Sequence, residues 1–142
     1  MTKSSTIVVV EDDFADQFIM QKSFDHLNLE KEIIFFETAS LAYDYLMSTS
    51  DHPFLIISDI NLPGIDGLDF RKRIQENAYL RKKAIPFVFF TTSASRKTVS
   101  DAFDLTVQGF FTKSSTMDEL AVQLKIILDY WNCCAHPNRV LV

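Results

Sequence analysis

Five short runs of continuous apolar residues punctuate the chain: "TIVVV" (6–10), "EIIFF" (32–36), "FLIIS" (54–58), "FVFFT" (87–91) and "GFFT" (109–112). They are rich in β-branched and aromatic residues and show no polar alternation. That pattern predicts strands covered on both faces, as in a parallel sheet. Between the runs, apolar residues recur at helical spacing. Phe14, Phe18 and Ile19, then Phe24 and Leu27, mark a first helix. Leu41 and Tyr45 mark a second, after the capping candidates Thr38 and Ser40. Phe70 and Ile74 mark a third, with Asp66 as its cap, and Val99, Ala102 and Phe103 mark a fourth. Leu120, Leu124, Ile127 and Trp131 give the clearest stripe, opening at Ser115 or Thr116. Five strands alternating with five helices predict an α/β doubly wound (βα)5 sandwich.

Composition narrows the picture. The chain has 142 residues, 47% of them apolar, with 13 Phe, 3 Gly and 4 Pro, which suits one well-filled core without long loops. A single domain over 1–142 is expected, with its core at about 5–131, a short tail at 132–142 and no output domain. The net charge of −5 gives no support for a nucleic-acid footprint, and no basic stripe is visible. The cluster "RKRIQENAYLRKK" (71–83) reads as the solvated face of a helix and its exit loop. No apolar stretch reaches the roughly 18 residues of a membrane span, and "MTKSST" lacks the apolar segment of a secretory signal. Cys133 and Cys134 are neighbours and too few for a disulfide framework, so a reducing cytoplasm is expected. His26, His52 and His136 share no metal-ligand spacing and read as surface or loop histidines.

Chemistry concentrates at the strand ends. In open α/β sheets, ligands bind beyond the carboxyl ends of the strands. Glu11, Asp12 and Asp13 follow the first strand, Asp59 and Asn61 the third, Thr91 and Thr92 close the fourth, and Lys113 follows the fifth. Two like charges about 4 Å apart repel by roughly 4 kcal/mol at an effective dielectric near 20. Converging carboxylates therefore call for a counter-charge, and their hard oxygens suit Mg²⁺. A divalent metal, an ammonium, a hydroxyl donor and a carboxylate nucleophile together match the needs of phosphoryl transfer.

The motifs "VVVEDD", "SDINLPGIDG", "FVFFTTS" and "GFFTKS", in this order at these strand ends, resemble those of response regulator receiver domains over roughly residues 5 to 131. The resemblance implies a flavodoxin-like, CheY-like fold with strand order 2-1-3-4-5. It implies a phosphoacceptor that takes its phosphoryl group from a sensor histidine kinase or phosphotransfer protein, with self-phosphorylation and autodephosphorylation but no enzyme turnover. By position, Asp59 would be the phosphoacceptor. Asp12 would ligate Mg²⁺ directly and Glu11 through water, and Asn61 would lend a backbone carbonyl. Thr91 and Lys113 would bind phosphoryl oxygens. Thr91 and Phe110 would form the switch, although Phe110 is equally read as core packing. Signalling would leave through the face of the fourth helix, fifth strand and fifth helix, to a downstream protein target or a second copy. The "TTS" run and the terminal "YW" are similar to single-domain receivers paired with phytochrome-type kinases. Asp13 reads as a cap, and Asp66 and Asp69 as capping and solvent charges. The tail is expected to pack on the domain, with dimerisation as the other possibility.

Three positions, Ser114, Thr92 and Ser58, depart from the family pattern. Ser114 follows Lys113 where receivers commonly carry a proline, often after a cis bond, so Lys113–Ser114 is open between cis and trans. Thr92 and Ser93 stand where the family varies residues that tune phosphoaspartate lifetime, and Ser58 precedes Asp59. Two rivals remain: a haloacid dehalogenase-type phosphatase needs a second Asp where this chain has Asn61, and a degenerate adaptor would have lost Asp59, the acidic pair or Lys113.

Overall fold

The computed structural model describes residues 6–92 and 94–138; residues 1–5, Ser93 and the tail residues 139–142 lie outside them. The elements run β1 (Thr6–Val10), α1 (Phe14–His26), β2 (Glu32–Phe36), α2 (Ala39–Ser48), β3 (Leu55–Ser58), α3 (Gly67–Glu76), α4 (Ala78–Lys83), β4 (Phe87–Thr91), α5 (Arg96–Asp104), β5 (Gly109–Thr112) and α6 (Met117–Cys133). The strands form one parallel sheet in the order β2-β1-β3-β4-β5. All five apolar runs become strands. β1, β3 and β4 are buried throughout, whereas β2 and β5, at the sheet edges, are only half covered.

Two apolar layers sandwich the sheet. On one face Ile7, Val9, Leu55, Ile57, Val88 and Phe90 meet α1 and α6. On the other, Val8, Val10, Ile56, Phe87 and Phe89 meet α2, α3, α4 and α5. The parity of each strand sends alternate side chains to opposite layers. Phe24, Phe54, Phe70, Phe87, Phe89 and Phe90 are fully buried, each contributing about 2 kcal/mol of transfer free energy.

The helices differ from the sequence pattern in informative ways. Phe14 (66% exposed) and Phe18 (61%) face solvent, and α1 packs through Met20, Ser23 and Phe24. At about 100° per residue the buried face runs back from Phe24 and Met20 to Asp16, not to Phe14. In α2, Ala39, Ala42 and Leu46 are buried while Leu41 is exposed; small alanines let the helix sit close to the sheet. Phe103 is exposed as well, and Ala102 carries the α5 contact. Thr38, Asp66 and Thr116 cap their helices as expected, and Asp13 caps α1.

The segment read as a solvated helix face and exit loop is two helices with two buried cations. Asn77 ends α3 and caps α4, its side chain accepting from Leu80 N and donating to the Tyr43 hydroxyl. Arg71 is buried and donates to Leu105 O and Thr106 O. Lys83, also buried, donates to Leu46 O, Thr49 O and Asp51 O. Each thus satisfies carbonyls that a helix end leaves unpaired, α5 for Arg71 and α2 for Lys83.

His136 is a further correction. It is 3% exposed, stacks on Phe54 at 4.5 Å between centroids, and meets Phe54 O through Nε2 at 2.6 Å. The tail up to Asn138 therefore packs on the domain, with Asn138 also bonded to His52. His26 is exposed and His52 half-buried.

Candidate functional site

The sheet register brings the strand ends level. Val10 pairs with both Phe36 and Ser58, Ser58 with Phe89, and Thr91 with Thr112. Backbone bonds continue the ladder one residue further: Glu11 N to Phe36 O at 3.0 Å, Asp59 N to Val10 O at 2.9 Å, and Lys113 N to Thr91 O at 2.7 Å. The residues immediately after β1, β3 and β5 are thereby fixed by main chain before any side chain takes part.

Asp59 lies at the crevice floor, 7% exposed. Its Oδ1 accepts from Ile60 N at 2.7 Å and Asn61 N at 3.2 Å. Behind it, the Ser58 hydroxyl donates to Asp59 O at 2.8 Å. Gly67 N donates to Ile60 O at 2.8 Å, folding the loop back onto the start of α3. A Cβ on Gly67 would lie 2.7 Å from Ile60 Cα and collide with Asp59 O. Only glycine lets the helix start approach the loop so closely.

Glu11, Asp12 and Asp59 bring one carboxylate oxygen each to within 4.8 Å of one another. Asp12 is exposed and Glu11 is 1% exposed. An all-oxygen, strongly negative donor set suits a hard divalent cation. Lys113 enters the same cluster. Its ammonium donates to Glu11 Oε1, and lies 3.3 Å from both Asp59 Oδ2 and Asp16 Oδ2. Three carboxylates thus surround an ammonium with three donors. Among the described residues every peptide bond is trans, Lys113–Ser114 included, and the ammonium still reaches the floor of the crevice.

Burial pushes the Glu11 carboxyl up to about 7, against the lowering effect of Lys113 and the Asp13 N–H and with a smaller contribution from the charge of Asp59. Burial also disfavours the Lys113 ammonium, but the bond to Glu11 and the charges of Asp59, Glu11 and Asp16 overcome it and hold Lys113 above its ordinary value. Both shifts run the same way: Glu11 and Lys113 each hold a proton more readily than they ordinarily would.

Thr91 is fully buried, and its Oγ1 has no hydrogen-bond partner among the described residues. The hydroxyl at the end of β4 thus has donor capacity that no described residue uses. Asn61 is exposed and, with Ile60, Ala94, Ser95 and Thr98, lines a cleft of about 420 Å³ beside Asp59. Phe110 is half-buried, 6.0 Å from Phe89 between centroids. Asp13, Asp66 and Asp69 stay out of the cluster; Asp13 and Asp66 are helix caps.

Asp16 and Gln17 were not singled out from the sequence. Gln17 Nε2 donates to Glu11 O at 2.6 Å. Their signal was the spacing Asp16, Met20, Phe24, which places a carboxylate on the buried stripe of α1 where that stripe meets the crevice.

Comparison with known proteins agrees with this geometry. The family model described as response regulator receiver domain matches residues 7–125. Response regulator Rcp1 of Synechocystis is 29% identical over 130 residues, covering 88% of this chain and 87% of the relative. Chemotaxis protein CheY1 of Helicobacter pylori is 27% identical over 122 residues, covering 86% of this chain and 95% of its own length. The crystal structure of the phosphorylated cyanobacterial phytochrome response regulator RcpA matches with a TM-score of 0.85 at 27% identity, over 95% of this chain and 99% of that one. The Mn²⁺-bound form of Rcp1 matches with a TM-score of 0.83 at 29% identity, over 94% of this chain and 99% of that one. With the strand order, the converging carboxylates and a family model spanning most of its length, the chain belongs to the response regulator receiver family.

Proposed function

We propose that this receiver accepts a phosphoryl group on Asp59 from a phosphohistidine of a sensor histidine kinase or phosphotransfer protein. The observation that carries the reading is the placement of Asp59, nearly buried, within 4.8 Å of Glu11 and Asp12 and 3.3 Å from the Lys113 ammonium. Oδ1 is committed to two backbone N–H groups, so Oδ2 is the oxygen able to attack. The new bond joins Oδ2 to phosphorus, the phosphorus–nitrogen bond of the donor breaks, and its imidazole leaves with the electron pair.

Glu11, Asp12, Asp59 and the backbone carbonyl of Asn61 would hold Mg²⁺, which when bound offsets charge on the phosphoryl oxygens. Support comes from the oxygen-only donor set here and from the Mn²⁺ held by the similar Rcp1. Lys113 turns from its carboxylates toward one phosphoryl oxygen, and the orphan hydroxyl of Thr91 donates to another. The phosphorylated state of RcpA supports the same reading.

The phosphoryl group brings nearly two negative charges and three acceptor oxygens. Drawing Thr91 and Lys113 toward it pulls on β4 and β5 together. Phe110, half-buried against Phe89, then turns inward as the switch aromatic and alters the face of α5, β5 and α6. That face, with Val122, Ile126 and Tyr130 exposed along α6, addresses a downstream protein target or a second copy. The setting is the reducing cytoplasm, in keeping with two neighbouring cysteines, Cys133 and Cys134, too few for a disulfide framework.

The test is incubation with Mg²⁺ and acetyl phosphate. One acid-stable, base-labile adduct is expected on the wild type and none on Asp59→Asn. Equal labelling of Asp59→Asn overturns the reading.

A further inference from the structure

The β5–α6 loop carries Lys113 between Thr112 and Ser114, and one side chain of α6 holds the backbone on both sides of it. Gln123 Oε1 accepts from Ser114 N at 2.9 Å, while its Nε2 donates to Thr112 O at 2.7 Å. The two bonds fix which end of the amide is oxygen. Gln123 adjoins Leu120 and Leu124, both buried, so the helix that presents it is anchored against the sheet.

The pairing depends on Ser114. A proline at this position would have no N–H to offer, and its ring would fix φ by itself. Serine leaves the backbone free to turn and supplies the donor that Gln123 accepts. With the bond from Lys113 N to Thr91 O at 2.7 Å, the peptide frame of Lys113 is held from the sheet on one side and from α6 on the other. The side chain that leaves this frame is only 4% exposed and ends 3.3 Å from Asp59.

We infer that Gln123 is a positioning residue for the phosphoryl-transfer site: by clamping Thr112 O and Ser114 N it fixes the backbone from which Lys113 reaches Asp59. The inference rests on the phosphoacceptor role proposed for Asp59. It extends that role to α6, since any displacement of this helix is handed to Lys113 through one amide.

The experiment compares wild type with Gln123→Met, an apolar side chain of similar length, and Gln123→Glu, which keeps the acceptor and loses the donor. Each is also made in a Lys113→Ala background. Phosphorylation by acetyl phosphate should slow about tenfold in Gln123→Met and less in Gln123→Glu, since small misplacements of a catalytic group are costly. Mg²⁺ affinity should not weaken, because the clamp touches none of the acidic cluster and a loosened Lys113 competes less for its carboxylate oxygens. In the Lys113→Ala background Gln123→Met should add no further slowing. Wild-type rates in Gln123→Met, or equal slowing in both backgrounds, would overturn the proposal. A second readout is independent of phosphorylation: acetylation of the buried Lys113 by acetic anhydride, followed by mass spectrometry, should be several-fold faster in both Gln123 variants. Unchanged protection refutes the clamp even if Asp59 is labelled, whereas an unlabelled wild type with a deprotected variant refutes only the phosphoacceptor reading.

Discussion

Lys113 Nζ and Asp59 Oδ2 stand 3.3 Å apart, with Glu11 on the same ammonium and Asp16 also 3.3 Å from it. The ammonium therefore draws on carboxylates that a divalent cation would also use. Lys113→Met should tighten Mg²⁺ binding by roughly tenfold, because one positive charge a few ångströms from the metal oxygens is removed. The same change should slow labelling of Asp59 roughly a hundredfold. Calorimetric titration with Mg²⁺ and a time course with acetyl phosphate would show the two effects moving in opposite directions. Weaker Mg²⁺ binding in the variant would mean that the lysine supports the metal site instead of competing for it.

The carboxyl of Glu11, raised from 4.5 to about 7 chiefly by burial, makes the metal-free protein sensitive to pH. Between those values the folded state binds more protons than the unfolded state, so stability falls as pH rises. The contribution is fully present below about 4.5 and lost as pH passes 7. Melting in EDTA should drop by roughly 5 to 10 °C more between pH 5 and pH 8 in wild type than in Glu11→Gln. Mg²⁺ binding, which needs the carboxylate, should strengthen over the same interval. Parallel pH profiles for the two proteins would show that Glu11 carries no such shift.

Thr91→Val replaces a buried hydroxyl that lacks a partner among the described residues by a methyl of the same shape. Removing an unsatisfied polar group should stabilise the unphosphorylated protein by about 1 kcal/mol, or about 2 to 4 °C in melting temperature. The cost should appear in the activated state. Beryllium fluoride with Mg²⁺ should raise the melting temperature of wild type by several degrees and that of Thr91→Val by clearly less. Equal shifts would remove Thr91 from the phosphoryl contacts.

Gly67→Ala should be destabilising out of proportion to its size. Its methyl would collide with Asp59 O and sit 2.7 Å from Ile60 Cα, both backbone atoms with no flexible end to yield. About 2 to 3 kcal/mol is expected, roughly 5 to 10 °C in melting temperature. Because the clash is with the loop that carries Asp59, labelling should fall as well. A variant that melts and labels like wild type would show that this turn has slack.

The sheet was legible from the sequence because parallel strands are marked by what they exclude, and no polar residue interrupts Val8, Val9 and Val10 or Phe87 to Phe90. The strand-end residues Glu11, Asp12, Asp59 and Lys113 could be placed together for the same reason: each lies directly beyond a strand. Helix faces were harder. Phe14, Phe18 and Leu41 are large and apolar yet exposed, while Ala39, Ala42 and Ser23 are small and buried, because closeness of approach decides the contact and size does not announce it. Arg71, Lys83 and His136 escaped notice because their partners are backbone carbonyls distant in sequence, and a main-chain acceptor has no one-letter signature. Gln123 belongs to the same class, since it grips Thr112 O and Ser114 N, whereas Asp16 is betrayed by its spacing from Met20 and Phe24.

Among the described residues β5 is hydrogen-bonded to β4 alone, while β3 and β4 are each held from both sides. The stiffness of the sheet is therefore graded from centre to rim. Asp59 follows an interior strand, where a shift would have to break both flanking ladders at once. Phe110 rides on a rim strand that can be peeled by loosening the single row of pairs from Val88 and Gly109 to Thr91 and Thr112. Under the proposed phosphoacceptor role, charge arriving at this rigid anvil would be passed to the compliant margin beside it, in a direction set by the order of the strands.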